Sequence, residues 1–121
     1  MNRAAIVVLN WNGAALLPAC LASLLKQDYP DFFVIVVDNG SADGSKEILE
    51  RYQVEHGKKL QTIFNARNSG FAGGVNIGIR RALEQGVGAV ALFNNDAVAR
   101  PNWLTKLALT LRSNPQIGIA T

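Results

Sequence analysis

The chain has one cysteine, Cys20, and one histidine, His56, in 121 residues. A lone cysteine forms no internal disulfide, so a reducing compartment fits, and Cys20 reads as a small buried hydrophobe on a helix face. A single histidine completes no nucleophilic triad, and one Cys with one His supplies too few ligands for zinc. His56 reads instead as a solvated helix end. Charged residues are sparse at 17%, against 49% apolar. That balance excludes a disordered chain and leaves enough apolar surface for a core. No apolar run approaches the ~20 residues of a membrane-spanning helix. The start runs from Ala4 to Leu9 straight into Asn10-Trp11-Asn12 without a small-residue cleavage site, so no secretory leader is expected. The expected location is cytoplasmic.

Two phosphate-binding signatures are also absent. There is no Gly-x-x-x-x-Gly-Lys-Ser/Thr loop, which disfavours a P-loop NTPase, and no Gly-x-Gly-x-x-Gly after the first apolar run, which disfavours a dinucleotide-binding Rossmann domain. The net charge of +3 is mildly basic and suits an anionic small ligand or an anionic membrane surface. The basic residues Arg51, Lys58, Lys59, Arg67, Arg80, Arg81 and Arg100 are scattered, so no nucleic-acid partner is expected.

What is present alternates between two patterns. Ala4 to Leu9, Phe32 to Val37, Leu60 to Phe64 and Ala89 to Phe93 are short apolar runs with little period-2 alternation. They predict parallel strands buried on both faces, and a fifth is expected to begin at Ile117. Between them lie helical stripes. Leu16, Leu17, Cys20, Leu21, Leu24 and Leu25 form the first, with Pro18 in its first turn. Ser45 to Tyr52 forms the second, capped by Asp43 or Ser41. Phe71, Ala72, Val75, Ile79, Ala82 and Leu83 mark the third, where Gly73, Gly74 and Gly78 allow close approach of other backbone. Trp103, Leu104, Leu107, Ala108 and Leu111 mark the fourth, opened by Pro101. Strand–helix alternation predicts βαβ units and one α/β domain over residues 1–121. The chain stops about four residues into its fifth strand, so a C-terminally truncated domain is expected, with an open sheet edge available for self-association.

In such a sheet, ligands bind beyond the carboxyl ends of the strands. Every apolar run ends in a polar cluster there: Asn10-Trp11-Asn12-Gly13, Asp38-Asn39-Gly40-Ser41-Ala42-Asp43-Gly44, Asn65-Ala66-Arg67-Asn68-Ser69-Gly70 and Asn94-Asn95-Asp96. One such cluster is ordinary turn chemistry. Four on one edge predict a binding site. Asp96 is the candidate ligand for Mg²⁺ or Mn²⁺, since a hard cation needs only one or two carboxylates when substrate phosphates complete its shell. The N-terminus of the third helix, near Gly70, offers free N–H groups to an anion.

The order Val7-Val8-Leu9-Asn10-Trp11-Asn12, Val36-Val37-Asp38-Asn39-Gly40-Ser41-x-Asp43-Gly44, Asn68-x-Gly70-Phe71-Ala72-x-Gly74-x-Asn76-x-Gly78, then Asn94-Asn95-Asp96 with Pro101-x-Trp103-Leu104, resembles the inverting GT-A glycosyltransferases of the family 2 type. Within that family the bacterial rhamnosyltransferase-like branch is closest. The resemblance covers essentially the whole chain. It implies a three-layer α/β/α sandwich with a mainly parallel sheet, the Rossmann-like fold of nucleotide-diphospho-sugar transferases. It also implies transfer of a sugar from a dTDP- or UDP-sugar, with dTDP-rhamnose preferred, to a saccharide or lipid-linked saccharide acceptor in cell-surface polysaccharide synthesis.

By the same resemblance, Leu9, Asn10, Trp11 and Asn12 lie against the nucleoside, and Asp38 and Asn39 read the pyrimidine. Asn39 carries both a donor and an acceptor for its edge. Gly70 and Asn76 belong to the glycine-rich segment of the nucleotide site. Arg67 is either a bidentate phosphate donor or a solvent-facing loop residue. Asn94-Asn95-Asp96 takes the place of the family's D-x-D metal motif. Only its last position is acidic, which implies weak metal binding shared with the nucleotide.

The catalytic base of the family is an acidic residue beyond Thr121. The fragment is therefore expected to bind donor and not to transfer sugar. Lipid-linked acceptors imply peripheral contact with the inner membrane face. The alternatives are a sugar nucleotidyltransferase, which carries a glycine-rich Arg/Lys signature after its first strand, and a non-catalytic nucleotide-binding module such as a receiver domain.

Overall fold

Apolar side chains dominate Ala4–Asn10 (β1) and Phe32–Asp38 (β2), the second almost wholly β-branched and aromatic, and both runs form strands that are buried almost throughout. The computed structural model describes residues 2–121. Two further strands follow, Leu60–Phe64 (β3) and Ala89–Asn94 (β4). The helices are Leu17–Leu25 (α1), Ser45–His56 (α2), Gly70–Glu84 (α3) and Trp103–Ser113 (α4), with one 3₁₀ turn at Gly57–Lys59. All strand pairs are parallel, in the order β3-β2-β1-β4.

Alternate side chains of the sheet feed two cores. Ala4, Ile6 and Val8 of β1, with Phe32, Val34 and Val36 of β2, pack under α1, α2 and α4. Ala5, Val7, Phe33, Ile35 and Val37 pack on the opposite face with Ala82 of α3. Three layers result, and the α/β/α GT-A-like fold is the expected one. The crossovers through α1 and α2 step the sheet from β1 to β2 to β3 along one face. The crossover through α3 runs along the other face and brings β4 back beside β1. The sheet therefore reverses direction between β1 and β4, the topological position where open α/β sheets bind ligands.

Local sequence explains the helix starts. Pro18 sits in the first turn of α1, where its missing N–H is no loss. Gly44, at φ 92°, turns the chain into α2, and the Asp43 Oδ1 accepts the backbone N–H and the hydroxyl of Ser45. Neither expected residue is the N-cap, which is Gly44; Asp43 bonds Ser45 from one residue earlier, and Ser41 is engaged elsewhere.

Two expectations need correcting. Residues 114–121 hold no strand, so the fifth run expected from Ile117 does not form one. Ile119 is 85% exposed there, and strand geometry in water needs a partner ladder that this segment lacks. Burial on both faces also holds only for the two central strands. β3 and β4 are the sheet edges and are largely half-buried, with Leu92 and Phe64 exposed. Beside β4, an apolar groove of about 630 Å³ runs between Leu92, Trp103, Leu107, Leu111 and Ile119. Among the described residues no helix is long and apolar enough to cross a membrane.

Candidate functional site

The last residues of three strands carry the polar side chains, and register brings them together. Asn10 is the pairing partner of Asp38 across β1 and β2, and Leu9 is that of Asn94 across β1 and β4. Asp38 is buried beside Asn10, whose Nδ2 donates to Asp38 Oδ1 at 2.9 Å. Ser41 closes the corner: its hydroxyl donates to Asp38 Oδ1 at 2.7 Å and its N–H to Asp38 Oδ2 at 3.0 Å. The Ser41 hydroxyl also accepts the Asn12 N–H at 2.8 Å, and Asn12 Oδ1 accepts the Ala42 N–H at 2.8 Å. Asn12 takes φ 50°, a left-handed turn that asparagine tolerates, and Trp11 beside it is 55% exposed. The Trp11 ring is the one large aromatic surface on this loop free to meet a flat ligand.

The Asp43 carboxylate ties the loop after β1 to the start of α2, accepting the Ala14 N–H at 3.0 Å. The Ser45 hydroxyl bond, and after it the Ala14 N–H bond, hold this carboxyl below its usual pKa.

Asn39 occupies a different environment from the one expected of a base-reading residue. It is 1% exposed. Its Oδ1 accepts from Asn65 Nδ2, the Ser69 N–H and the Ser69 hydroxyl, each at 3.0 Å. Its Nδ2 donates to Asn68 Oδ1 at 3.0 Å and to the Gly70 carbonyl at 3.1 Å. Donor and acceptor are both committed to the loop from 65 to 70, so this conformation offers neither to a pyrimidine. Asn10 is fully buried and engaged in the same way, and its side chain likewise faces protein.

The remaining expected residues spread around this centre. Leu9 is half-buried against α3 and borders a second cleft of about 280 Å³ with Phe71, Leu92, Asn94, Asn95 and Asp96. Arg67 is exposed on the loop after β3. Its backbone lies so near Gly40 (φ 83°) that a Cβ there would sit 2.9 Å from the Arg67 Cα. Gly70 opens α3 at φ 80°, and its N–H is taken by Asn68 Oδ1. Asn76 lies exposed in the second turn of α3.

Asp96 is exposed at the rim of the second cleft, with Asn94 also exposed and Asn95 half-buried. Among the described residues no group of three metal-ligating side chains gathers. A single accessible carboxylate at a cleft mouth fits a hard cation whose shell is completed by phosphate and water, and does not fit a cation caged by protein alone. Beneath the loop, Cys20 Sγ lies 3.7 Å from the Asn94 carbonyl. Burial, and secondarily the Asp96 charge, push the thiol up to about 11.

Sequence reasoning missed Ser41 as the keystone of the Asp38 corner and Gly13 as a contact point. Both lay inside the quoted motifs, and only the folded loops reveal their partners.

Known proteins resemble this chain in sequence and fold. Residues 5–120 match the model of glycosyl transferase family 2. An uncharacterized glycosyltransferase of Nostoc is 27% identical over 117 residues, 97% of this chain and 35% of that protein. The mannosyltransferase PcManGT from Pyrobaculum calidifontis, solved with GDP-Man and Mn²⁺, superposes with a TM-score of 0.86 at 26% identity, over 95% of this chain and 33% of its own. S. aureus TarS residues 1–349 superpose with a TM-score of 0.73 at 29% identity, over 92% of this chain and 32% of theirs. The chain thus spans about a third of the length of these relatives. It belongs to glycosyl transferase family 2 and carries the GT-A fold.

Proposed function

We propose that these residues form the donor-binding portion of an inverting, metal-dependent glycosyltransferase that uses a nucleotide-diphospho-sugar. The observation that carries the reading is the convergence of the Asn10–Asp38 corner, the exposed Trp11 ring and the Asp96 carboxylate around the point where the sheet reverses. Trp11 stacks on the nucleobase. The buried Asp38 corner, stiffened by Ser41, holds the loop on which that ring sits. Asn39 shapes the loop carrying Arg67 and Gly70, which faces the diphosphate.

Asp96 would hold Mg²⁺ or Mn²⁺, which would supply positive charge against the departing diphosphate. An acceptor hydroxyl attacks the anomeric carbon in line, a carboxylate takes its proton, and the configuration inverts. None of Asp38, Asp43 and Asp96 suits that base. The first two are bound up in hydrogen bonds, and a metal-bound Asp96 loses basicity. The family resemblance implies that an acidic residue from another part of the glycosyltransferase domain serves as the base. The rhamnosyltransferase-like motifs favour dTDP-rhamnose as donor and a saccharide or lipid-linked saccharide acceptor, at the cytoplasmic face of the membrane.

Calorimetric titration of dTDP, UDP and GDP, with and without Mn²⁺, tests the reading. Saturable, Mn²⁺-dependent binding of a pyrimidine diphosphate, lost in Asp96→Ala, is expected. Binding indifferent to metal, or preference for GDP, would contradict it.

A further inference from the structure

The bond that bridges the reversal point of the sheet joins two side chains 85 residues apart: Asn95 Nδ2 donates to Asn10 Oδ1 at 2.9 Å. The other end of the same Asn10 amide donates to Asp38 Oδ1 at 2.9 Å. One buried amide therefore connects the tip of β2 to the loop after β4. Asn95 is half-buried and reaches in to Asn10, while its neighbour Asp96 stands exposed.

Gly13 makes the arrangement possible. A Cβ built there would lie 2.5 Å from Asn10 Oδ1 and 2.5 Å from Asn95 Nδ2, directly against the pair. Its φ is not in the left-handed region, so the requirement for glycine comes from this contact rather than from the backbone. Asn10 is fully buried and cannot yield. A methyl group at position 13 would displace the half-buried Asn95 amide and open the bond.

We infer that Asn10 and Asn95, with Gly13 packed on them, are positioning residues that fix the Asp96 loop relative to the Asp38 corner, and so set the spacing between nucleoside and metal subsites. The subsite names rest on the function proposed above; the mechanical link does not. An amide is the right group for this place. Its nitrogen donates to the Asp38 carboxylate while its oxygen, on the other branch, accepts from Asn95, which a carboxylate cannot do because it has no donor.

The test uses Asn95→Ala and Gly13→Ala in the full chain, with two readouts. The first is ligand-free: backbone amide NMR. Both variants should shift and broaden the amides of residues 94–97 and leave those of α2 unmoved, and the double variant should add little to either single one. Unmoved loop amides would overturn the inference, whatever the protein binds. The second is affinity. Mn²⁺-dependent binding of dTDP or UDP should weaken about tenfold in both variants, the scale of one lost hydrogen bond, while binding of thymidine or uridine changes less than about twofold. Equal losses for nucleoside and diphosphate would also overturn it. Wild-type chain that binds no diphosphate while its loop amides respond would instead sink the proposed function and leave the link standing.

Discussion

The Cβ that Gly78 lacks would fall 2.5 Å from Val7 Cγ1, so α3 is seated on β1 at a distance only glycine permits. Gly74 repeats the contact one turn earlier, against Leu9 Cδ1. Of the three glycines expected to allow close approach, Gly73 meets only the Ser69 side chain, at 3.3 Å. Gly78→Ala should destabilise the fold by about 1–3 kcal/mol through overpacking, net of the ~1 kcal/mol that alanine gains in a helix. Gly74→Ala should cost less, because half-buried Leu9 can rotate toward the cleft whereas Val7 is sealed between β-strands. Urea denaturation measures both, and a stability gain in Gly78→Ala would mean that the helix sits further from the sheet.

Removing the Asn39 amide orphans partners on both sides of it. Asn39→Ala should cost about 1–2 kcal/mol: the five bonds of a buried amide are lost, but their partners on Asn65, Asn68, Ser69 and Gly70 are half-buried or exposed and can turn to water. Asn39→Asp keeps the bonds from Asn65 and Ser69 but turns a carboxylate oxygen toward Asn68 Oδ1 and the Gly70 carbonyl. It should be intermediate. Hydrogen exchange of residues 65–70 should quicken in both, and unchanged exchange would show that the loop is held otherwise.

Cys20 should resist alkylation in the folded state at neutral pH and react readily once denatured. Burial and then the Asp96 charge raise its pKa from 9.0 to about 11. A folded pKa above the unfolded value means that the contribution to stability is fully present below pH 9.0 and is lost as pH rises toward about 11. Cys20→Ala should flatten that alkaline decline in a urea-midpoint series, and Asp96→Asn should lower the thiol pKa slightly, as read by thiolate absorbance.

At the acid end Asp43 acts in the opposite sense. The Ser45 hydroxyl bond, then the Ala14 N–H bond, depress its pKa below 3.8. Its contribution is present above that value and lost as pH falls through the lower folded one. Asp43→Asn should reduce the acid dependence of stability below about pH 4 and loosen the Ala14 amide, visible in hydrogen exchange. An acid limb identical to wild type would assign that dependence to other carboxylates.

The strands were readable because each is a short, mainly apolar run that leads into a polar cluster, as Val34-Ile35-Val36-Val37-Asp38 shows. The helices were readable from stripes such as Leu17, Cys20, Leu21 and Leu24, all fully buried. Ile117 to Ala120 shows the limit of that logic. A short apolar run is a strand only when a ladder receives it, and hydropathy does not report the ladder. Asn39 shows another limit, because an amide near a strand tip looks the same whether it faces a ligand or its own loop.

Local pattern by itself determined the four strands, the four helices and the glycosyltransferase motifs, since each depends on residues within about one turn or one strand of one another. Tertiary structure alone decided that β4 lies beside β1, that Asn95 meets Asn10, and that Gly13 must be bare beneath them. Strand order is set by which faces the helices cover, a long-range packing outcome that no window of sequence contains.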